Sequence, residues 1–369
     1  MRSKVAIDVT PLLYTSNGIG RCTRALVNQL LGSRTRMEFT LFGRRLAGRG
    51  LGRIGFAAPT VQLRLPRRAE RLIQALGLVE LTCKAELYHA TDFYIPLKHP
   101  ERAVATIHDV IFLRQPETMV DHARLAKWVP DFARRCRAIV TVSDYSKREI
   151  VDVLGVDPGK VHVTYPAVDA GCFKPEADQD ALRNRLLRRL NLRRPYFLAV
   201  SCSQGRKNTP LLLEAYSQLI PDAPMNDLVL IWDAPAQVRE RFSRRETSAR
   251  IHFVGRQTDD ELRDLYAGAT ALVFPSLYEG FGLPVLEALK CGTPVITSNV
   301  SSLPEVGGDA AIYVDPRDRD SIVAALEMFE NESPLTHGLG AKGLRHAACF
   351  TWERFAQQTM DVYERCLEN

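Results

Sequence analysis

Short apolar runs alternate with longer helical stretches along almost the whole chain, and this alternation most constrains the fold. In the first half VAI (5–7), MEFTLF (37–42), VQLRL (61–65), ELYHA (86–90), AVATIH (103–108) and AIVTV (138–142) read as strands. In the second half YFLAV (196–200), DLVLIW (227–232), IHFVG (251–255), ATALVFP (269–275), PVITS (294–298) and AAIYV (310–314) do the same. Helical signals fill the gaps. Leu26, Leu30 and Leu31 share one side of 20–31, and 67–82 is a basic amphipathic stretch. Thr209-Pro210 opens a helix with Thr as N-cap, and Thr258 to Glu261 is a T-x-x-E capping box. Ser146 to Glu149 reads as a second box, S-x-x-E. Strands separated by helices predict parallel sheets built from βαβ units. YPAVDAGCFKPEADQD (165–180), with two prolines and a glycine, reads as the link between two α/β domains. The expected division is 1–170, 171–350 and a last helix within 351–369 that starts at Thr351.

Several classes are set aside. With 46% hydrophobic and 25% charged residues the composition is that of a globular chain, not a disordered one. No apolar run approaches the roughly 18 to 20 residues of a membrane span. Val5 to Ile7 is too short for a signal peptide, and Asp8 ends it, so a cytoplasmic protein is expected. The eight cysteines form no CxxC pair, and scattered reduced thiols are expected rather than a metal site or disulfides. The net charge is +6, and residues 34–71 hold ten arginines against two acids, Glu38 and Glu70. That segment is either a solvated set of basic loops or a patch that meets anionic phosphate, on a membrane surface or on an acceptor. Few aromatics accompany it, so nucleic acid is not the expected partner.

The stretch LYEGFGLPVLEALKCGTPVI (277–296) carries the densest chemistry. A buried strand ends at Phe274 and a helix over about 284–290 follows, with Pro284 at its first position and Gly292 ending it. In open parallel sheets ligands bind at the carboxyl ends of strands. The glycines let backbone N–H groups approach a ligand closely, and the helix start suits phosphate. Glu279 stands before the helix and Glu287 about one turn into it. Two such carboxylates can hold separate hydroxyl-bearing parts of one ligand while the amides between them face its charge. A nucleotide-sugar has that shape.

EGFGLPVLE, and almost continuously the wider stretch 274–316, resembles the E-x7-E region of retaining glycosyltransferases of family 4, which have the GT-B fold of two Rossmann-like domains facing across a cleft. The resemblance is strong in the second half and patchier in the first. It implies that Glu287 binds the ribose hydroxyls, that Glu279 lies beside the donor sugar, and that Phe281, Gly282 and Leu283 offer backbone N–H groups. It also implies a nucleotide-sugar domain in the second half, an acceptor domain in the first, and a last helix that crosses back onto the first domain.

Three further segments carry parts of the same resemblance. In SCSQGRKNTPLLLEA (201–215), Arg206 and Lys207 sit at a strand-to-helix turn, where two cations can neutralise the charge on a leaving diphosphate. Many relatives have Gly where Ser201 stands. In SNGIGRCTRAL (16–26), Gly18 and Gly20 give G-x-G, but Thr23 takes the place of the third glycine of a dinucleotide fingerprint. The stretch resembles instead the family's glycine loop near donor phosphate and acceptor. In ATIHDVIF (105–112), His108 ends a strand. A satisfied core histidine is the plain reading; the resemblance implies contact with the donor sugar, with Asp109 orienting the ring.

The expected activity is therefore transfer of a hexose to a saccharide hydroxyl with retention, without a metal or a separate cofactor. GDP-mannose is the favoured donor, a UDP-sugar the alternative, and a lipid-linked saccharide in surface polysaccharide synthesis the expected acceptor. A dehydrogenase lacks its third glycine here. A non-catalytic nucleotide-sugar sensor would not need His108 or Lys207.

Overall fold

The computed structural model describes residues 2–14, 18–44, 55–64, 69–119, 121–201, 205–219, 225–243 and 250–368. Arg45, Arg49, Arg53, Arg67 and Arg68 of the arginine-rich segment lie outside the described residues, as do Leu65, Ser16, Asn17 and Cys202. Two compact units emerge: Met1–Ala167 together with Phe350–Asn369, and Val168–Cys349.

The first unit is built on seven parallel strands: β1 Ser3–Asp8, β2 Met37–Arg44, β3 Thr60–Leu63, β4 Leu87–Ala90, β5 Ala103–Thr106, β6 Ala138–Thr141 and β7 Val161–Val163. Their order is β3-β2-β1-β4-β5-β6-β7, with Val5 level with both Phe39 and Leu87. Successive residues serve opposite faces, as strand geometry requires. Val5 and Ile7 pack with Leu26, Leu30 and the final helix Trp352–Glu368, which contributes Phe355, Val362 and Tyr363. Ala6, Phe42, Tyr88 and Ile139 join the core on the other face. Both faces are covered, which is why these strands read as continuous apolar runs. Inside, His89 bridges the Tyr363 hydroxyl and Thr106 Oγ1, the latter at 2.7 Å.

The second unit holds β8 Tyr196–Val200, β9 Asp227–Ile231, β10 Ile251–Val254, β11 Ala271–Phe274, β12 Val295–Ser298 and β13 Ala311–Val314, all parallel, in the order β10-β9-β8-β11-β12-β13. Strand order reverses between β8 and β11 here, and between β1 and β4 in the first unit. At such switch points the connections after the two central strands run to opposite faces and leave a crevice at their carboxyl ends.

Local readings need four corrections. The stretch 67–82 is not one helix: Glu70–Leu76 and Leu78–Cys83 are separated by Gly77 at φ 62, a left-handed residue that ends the first helix. The S-x-x-E box is displaced. Ser143, not Ser146, caps the helix Asp144–Leu154 by accepting the Ser146 N–H, while Glu149 pairs with Arg114. Thr209 is the first residue of its helix rather than its cap, because Asn208 takes the left-handed position before it. Strand β7 is too short and too polar to show a pattern: of Val161, His162 and Val163 only Val161 is buried. The Thr258–Glu261 box forms as read. The cysteines among the described residues are free thiols.

Candidate functional site

At the second unit's switch point, the segments after β8 and β11 bring Arg206, Lys207 and Glu279 together. Lys207 Nζ donates to Glu279 Oε1 at 2.8 Å, and Arg206 Nη1 to Oε2 at 2.7 Å. One carboxylate thus holds both cations, each on its own oxygen. Burial alone would push the Glu279 carboxyl up, but the Lys207 and Arg206 charges and their hydrogen bonds prevail and hold it below the ordinary carboxylate range. Lys207 also stands 4.3 Å over the Phe274 ring, which keeps the ammonium in a defined place.

Backbone geometry fixes the turn that carries these cations. Asn208 sits at φ 57, a conformation asparagine tolerates better than most residues. Its amide donates to the Pro275 carbonyl at 3.1 Å and the Pro316 carbonyl at 2.6 Å. Leu277 N donates to the Arg206 carbonyl at 2.7 Å, so the two segments are joined along the backbone as well.

Glu279 leads into a loop held from beneath. Ser302 Oγ lies 2.9 Å from the Glu279 carbonyl and 2.7 Å from that of Phe281. Gly282 follows at φ 110, and a Cβ there would approach Leu303 Cδ2 to 2.8 Å. The backbone therefore calls for a glycine, and any Cβ would also have to displace the Leu303 side chain. The helix Leu283–Lys290 begins at once, with Pro284 in its first turn. Glu287 lies on its buried side, where its Oε2 accepts the Tyr266 hydroxyl at 2.8 Å. Glu279 and Glu287 thus do different work. The first is bound by two cations, and the second accepts a neutral hydroxyl.

The other candidates lie in the first unit. His108 follows β5, is half-buried, and donates from Nε2 to the Thr91 carbonyl at 3.1 Å. Its ring packs edge-on against Phe93 with centroids 6.1 Å apart. Burial lowers its pKa, with the Thr91 bond and the Asp109 charge opposing. A neutral ring that donates from Nε2 presents Nδ1 as an acceptor. Asp109 Oδ1 takes the Ile111 N–H at 3.0 Å, and the Asp109 charge favours the protonated His108 ring. Gly18 opens the helix Gly18–Gly32, and Gly20 is buried in its first turn. Sequence reasoning did not find Ser302, Tyr266 or Asn208. Only Asn208 carried a signal, as an asparagine directly before a Thr-Pro helix start.

Among the described residues, no three His, Cys, Asp or Glu side chains are placed to hold a metal ion. No helix among them is long and apolar enough to cross a membrane.

Comparison with known proteins bears on these geometries. The family model "Glycosyl transferases group 1" matches residues 181–346, and "Glycosyltransferase Family 4" matches residues 16–171. The chain is 32% identical to the O-antigen chain mannosyltransferase B of Escherichia coli, over 98% of this chain and 99% of that one. It is 30% identical to the MMP alpha-(1->4)-mannosyltransferase of Mycolicibacterium hassiacum, over 72% of this chain and 65% of that one. In architecture it is similar to a glycosyltransferase from Rickettsia africae, with a TM-score of 0.78 at 15% identity, covering 100% and 99% of the two chains. It is also similar to Anabaena Alr3699/HepE in complex with UDP-glucose, with a TM-score of 0.75 at 16% identity, covering 98% and 99%. The fold is GT-B.

Proposed function

We propose that this chain, which belongs to the family 4 glycosyltransferases, moves mannose from GDP-mannose to a hydroxyl of a lipid-linked saccharide in surface polysaccharide synthesis, on the cytoplasmic side of a membrane. The observation that carries this reading is the Arg206–Glu279–Lys207 cluster at the switch point of the second unit, two cations held where a diphosphate would lie. The full-length similarity to an O-antigen mannosyltransferase supports mannose as the sugar.

The chemistry follows from the groups present. The bond between the sugar C1 and the diphosphate oxygen breaks, and the acceptor oxygen bonds to C1 on the same face. The acceptor's proton passes to the leaving diphosphate. Lys207 and Arg206 balance the charge that develops on that diphosphate, the role a divalent metal fills in other transferases. Amides at the start of the helix Leu283–Lys290 add positive potential. Glu287 accepts from the ribose hydroxyls, and His108 contacts the sugar. The basic, exposed Arg34, Arg36, Arg64 and Arg71 support contact with an anionic membrane surface.

A ranking of ligands tests the donor. Melting of the chain is followed with GDP, UDP, ADP and NAD at one high concentration. A ligand at about 100 times its dissociation constant adds roughly 2.7 kcal/mol. GDP is expected to shift the transition most. A larger UDP shift overturns the donor, and a shift with NAD alone overturns the whole reading. Similarity to a structure solved with UDP-glucose is the reason for the UDP arm.

A further inference from the structure

Beneath the loop that carries Glu279 lie two consecutive serines, Ser301 and Ser302, on the segment after β12. We propose that Ser302 is a positioning residue for sugar transfer: its hydroxyl turns the Phe281–Gly282 peptide so that the Gly282 N–H faces the sugar of the bound donor. The inference rests on the reading of the chain as a hexosyltransferase.

Local conformation is the first support. Ser302 stands at the N-cap of the short helix Leu303–Gly307, yet its side chain caps no N–H of that helix. A serine at this position ordinarily accepts the N–H of the second or third helical residue. Ser301 is held at φ 58, in the left-handed region that residues other than glycine seldom enter. Across from it Gly282 sits at φ 110. Departures of this kind persist only where the surroundings over-determine them, and they gather at functional sites. Here they serve the neighbouring loop.

Contacts are the second support. Ser302 is fully buried, and its Oγ lies 2.9 Å from the Glu279 carbonyl and 2.7 Å from the Phe281 carbonyl. Carbonyls only accept, so the two share the single hydroxyl hydrogen. Ser301 Oγ accepts the Glu279 N–H at 3.2 Å. The serine pair thus holds the backbone of Glu279 at its N–H and at its carbonyl, while the side chain of the same residue holds Arg206 and Lys207.

Peptide geometry gives the direction. In a planar trans peptide the carbonyl of one residue and the N–H of the next point opposite ways. The Phe281 carbonyl is turned onto Ser302, so the Gly282 N–H points to the other side of the loop. One hydroxyl therefore sets this donor in register with the cation cluster, and a donor fixed in advance needs no rearrangement during reaction. The carboxylate assigned to ribose, Glu287, has a different contact, the Tyr266 hydroxyl at 2.8 Å. Ser302 is accordingly expected to act on the sugar and not on the nucleotide.

The full chain is tested by kinetics, calorimetry and NMR. The sequence has two Phe-Gly pairs, Phe42-Gly43 and Phe281-Gly282, so carbonyl-labelled phenylalanine with nitrogen-labelled glycine isolates the Gly282 amide beside one reference signal. In wild type, GDP-mannose is expected to shift the Gly282 signal at least twice as far as GDP does. Ser302→Ala is expected to lower kcat for mannosyl transfer at least tenfold, less than the roughly 10² to 10³ for removing a donor outright. It should leave the Kd for GDP within threefold and erase the difference between the two ligands at Gly282. Turnover within threefold of wild type overturns the proposal, and so does a GDP affinity that falls as far as kcat. If the variant fails to melt cooperatively, the wild-type signal decides, and equal shifts with GDP and GDP-mannose overturn the proposal. A Gly282 response to GDP-mannose without mannosyl product from wild type overturns the functional reading and leaves the placement of the Gly282 N–H standing. Normal product formation by Ser302→Ala overturns the role of Ser302 alone.

Discussion

Lys207 Nζ lies 2.8 Å from Glu279 Oε1, so the cation assigned to the leaving diphosphate is held in advance by a buried carboxylate. That carboxylate is shared with Arg206, and neither cation has to be gathered from solvent when the donor binds. Preorganised charge of this kind costs no rearrangement at the moment of reaction.

Lys207→Ala is expected to lower turnover by about 10² to 10³, the usual cost of removing one preorganised charge-stabilising group. The melting transition should remain cooperative, because Lys207 stands at a turn and not in a core. Steady-state kinetics and a thermal melt check both points. Turnover within threefold of wild type removes Lys207 from the reaction.

Glu279→Gln leaves two cations without their counter-charge. Breaking a buried pair costs about 3 to 5 kcal/mol. Arg206 and Lys207 remain partly open to water, so the expected loss is smaller, about 2 kcal/mol. The sign with pH follows from the depressed carboxyl. A group whose pKa is lowered on folding stabilises above its unfolded value and loses that contribution as pH falls through the folded one. The difference between wild type and variant should therefore be full above pH 4.5 and shrink below it. Denaturant melts at pH 7 and in acid measure it, and a difference that grows in acid contradicts the assignment.

Glu287→Ala is expected to weaken GDP binding by tenfold or more, since two ribose hydroxyls lose a charged acceptor worth about 1.5 to 3 kcal/mol. Tyr266→Phe removes only the hydroxyl that orients Glu287 and should cost a few-fold. Calorimetric titration with GDP reads both. Loss of turnover with unchanged GDP affinity contradicts the ribose role.

His89 is buried and held near a pKa of about 3, against an ordinary 6.5, chiefly by burial and secondarily by the His108 charge. The unfolded chain binds this proton first as pH falls. Stability is therefore full above pH 6.5 and declines toward pH 3 by about 1.4 kcal/mol per unit from this group. His89→Gln should flatten that slope relative to wild type. Melts at pH 7, 6, 5 and 4 provide the comparison, and identical slopes contradict it. Because His89 meets Tyr363, the same loss should loosen the final helix.

Much of this was legible in the sequence because the chemistry and the fold share one signal. Ala271 to Phe274 reads as a buried strand, and the strand is fully buried at the centre of its sheet. Arg206-Lys207 and Glu279 could be placed on loops because each follows such a strand. Their mutual contact was not legible: residues 206 and 279 meet only because β8 and β11 are neighbours, and strand order leaves no trace in local periodicity. The break at Gly77 was missed because apolar spacing continues through it. Ser146 was mistaken for a cap because Ser143 lies three residues earlier with an equally good side chain. Arg44 and Arg124 meet Glu70 from places far apart in sequence, and the arginine-rich segment alone pointed outward, to phosphate.

Metal independence is a separate expectation. In the proposed reaction Arg206 and Lys207 take the place of a metal at the leaving group, so activity is expected to survive excess EDTA unchanged. Activity lost in EDTA and restored by Mg2+ or Mn2+ contradicts it.

The most direct measurement is release of nucleoside diphosphate from GDP-mannose, UDP-glucose and UDP-N-acetylglucosamine, with a mannoside acceptor and EDTA present, by wild type and Lys207→Ala. The account predicts GDP release from GDP-mannose alone, accompanied by mannosyl product, and its near abolition in the variant. UDP release at a comparable or greater rate, or no release from any donor by a chain that still binds GDP, would contradict it.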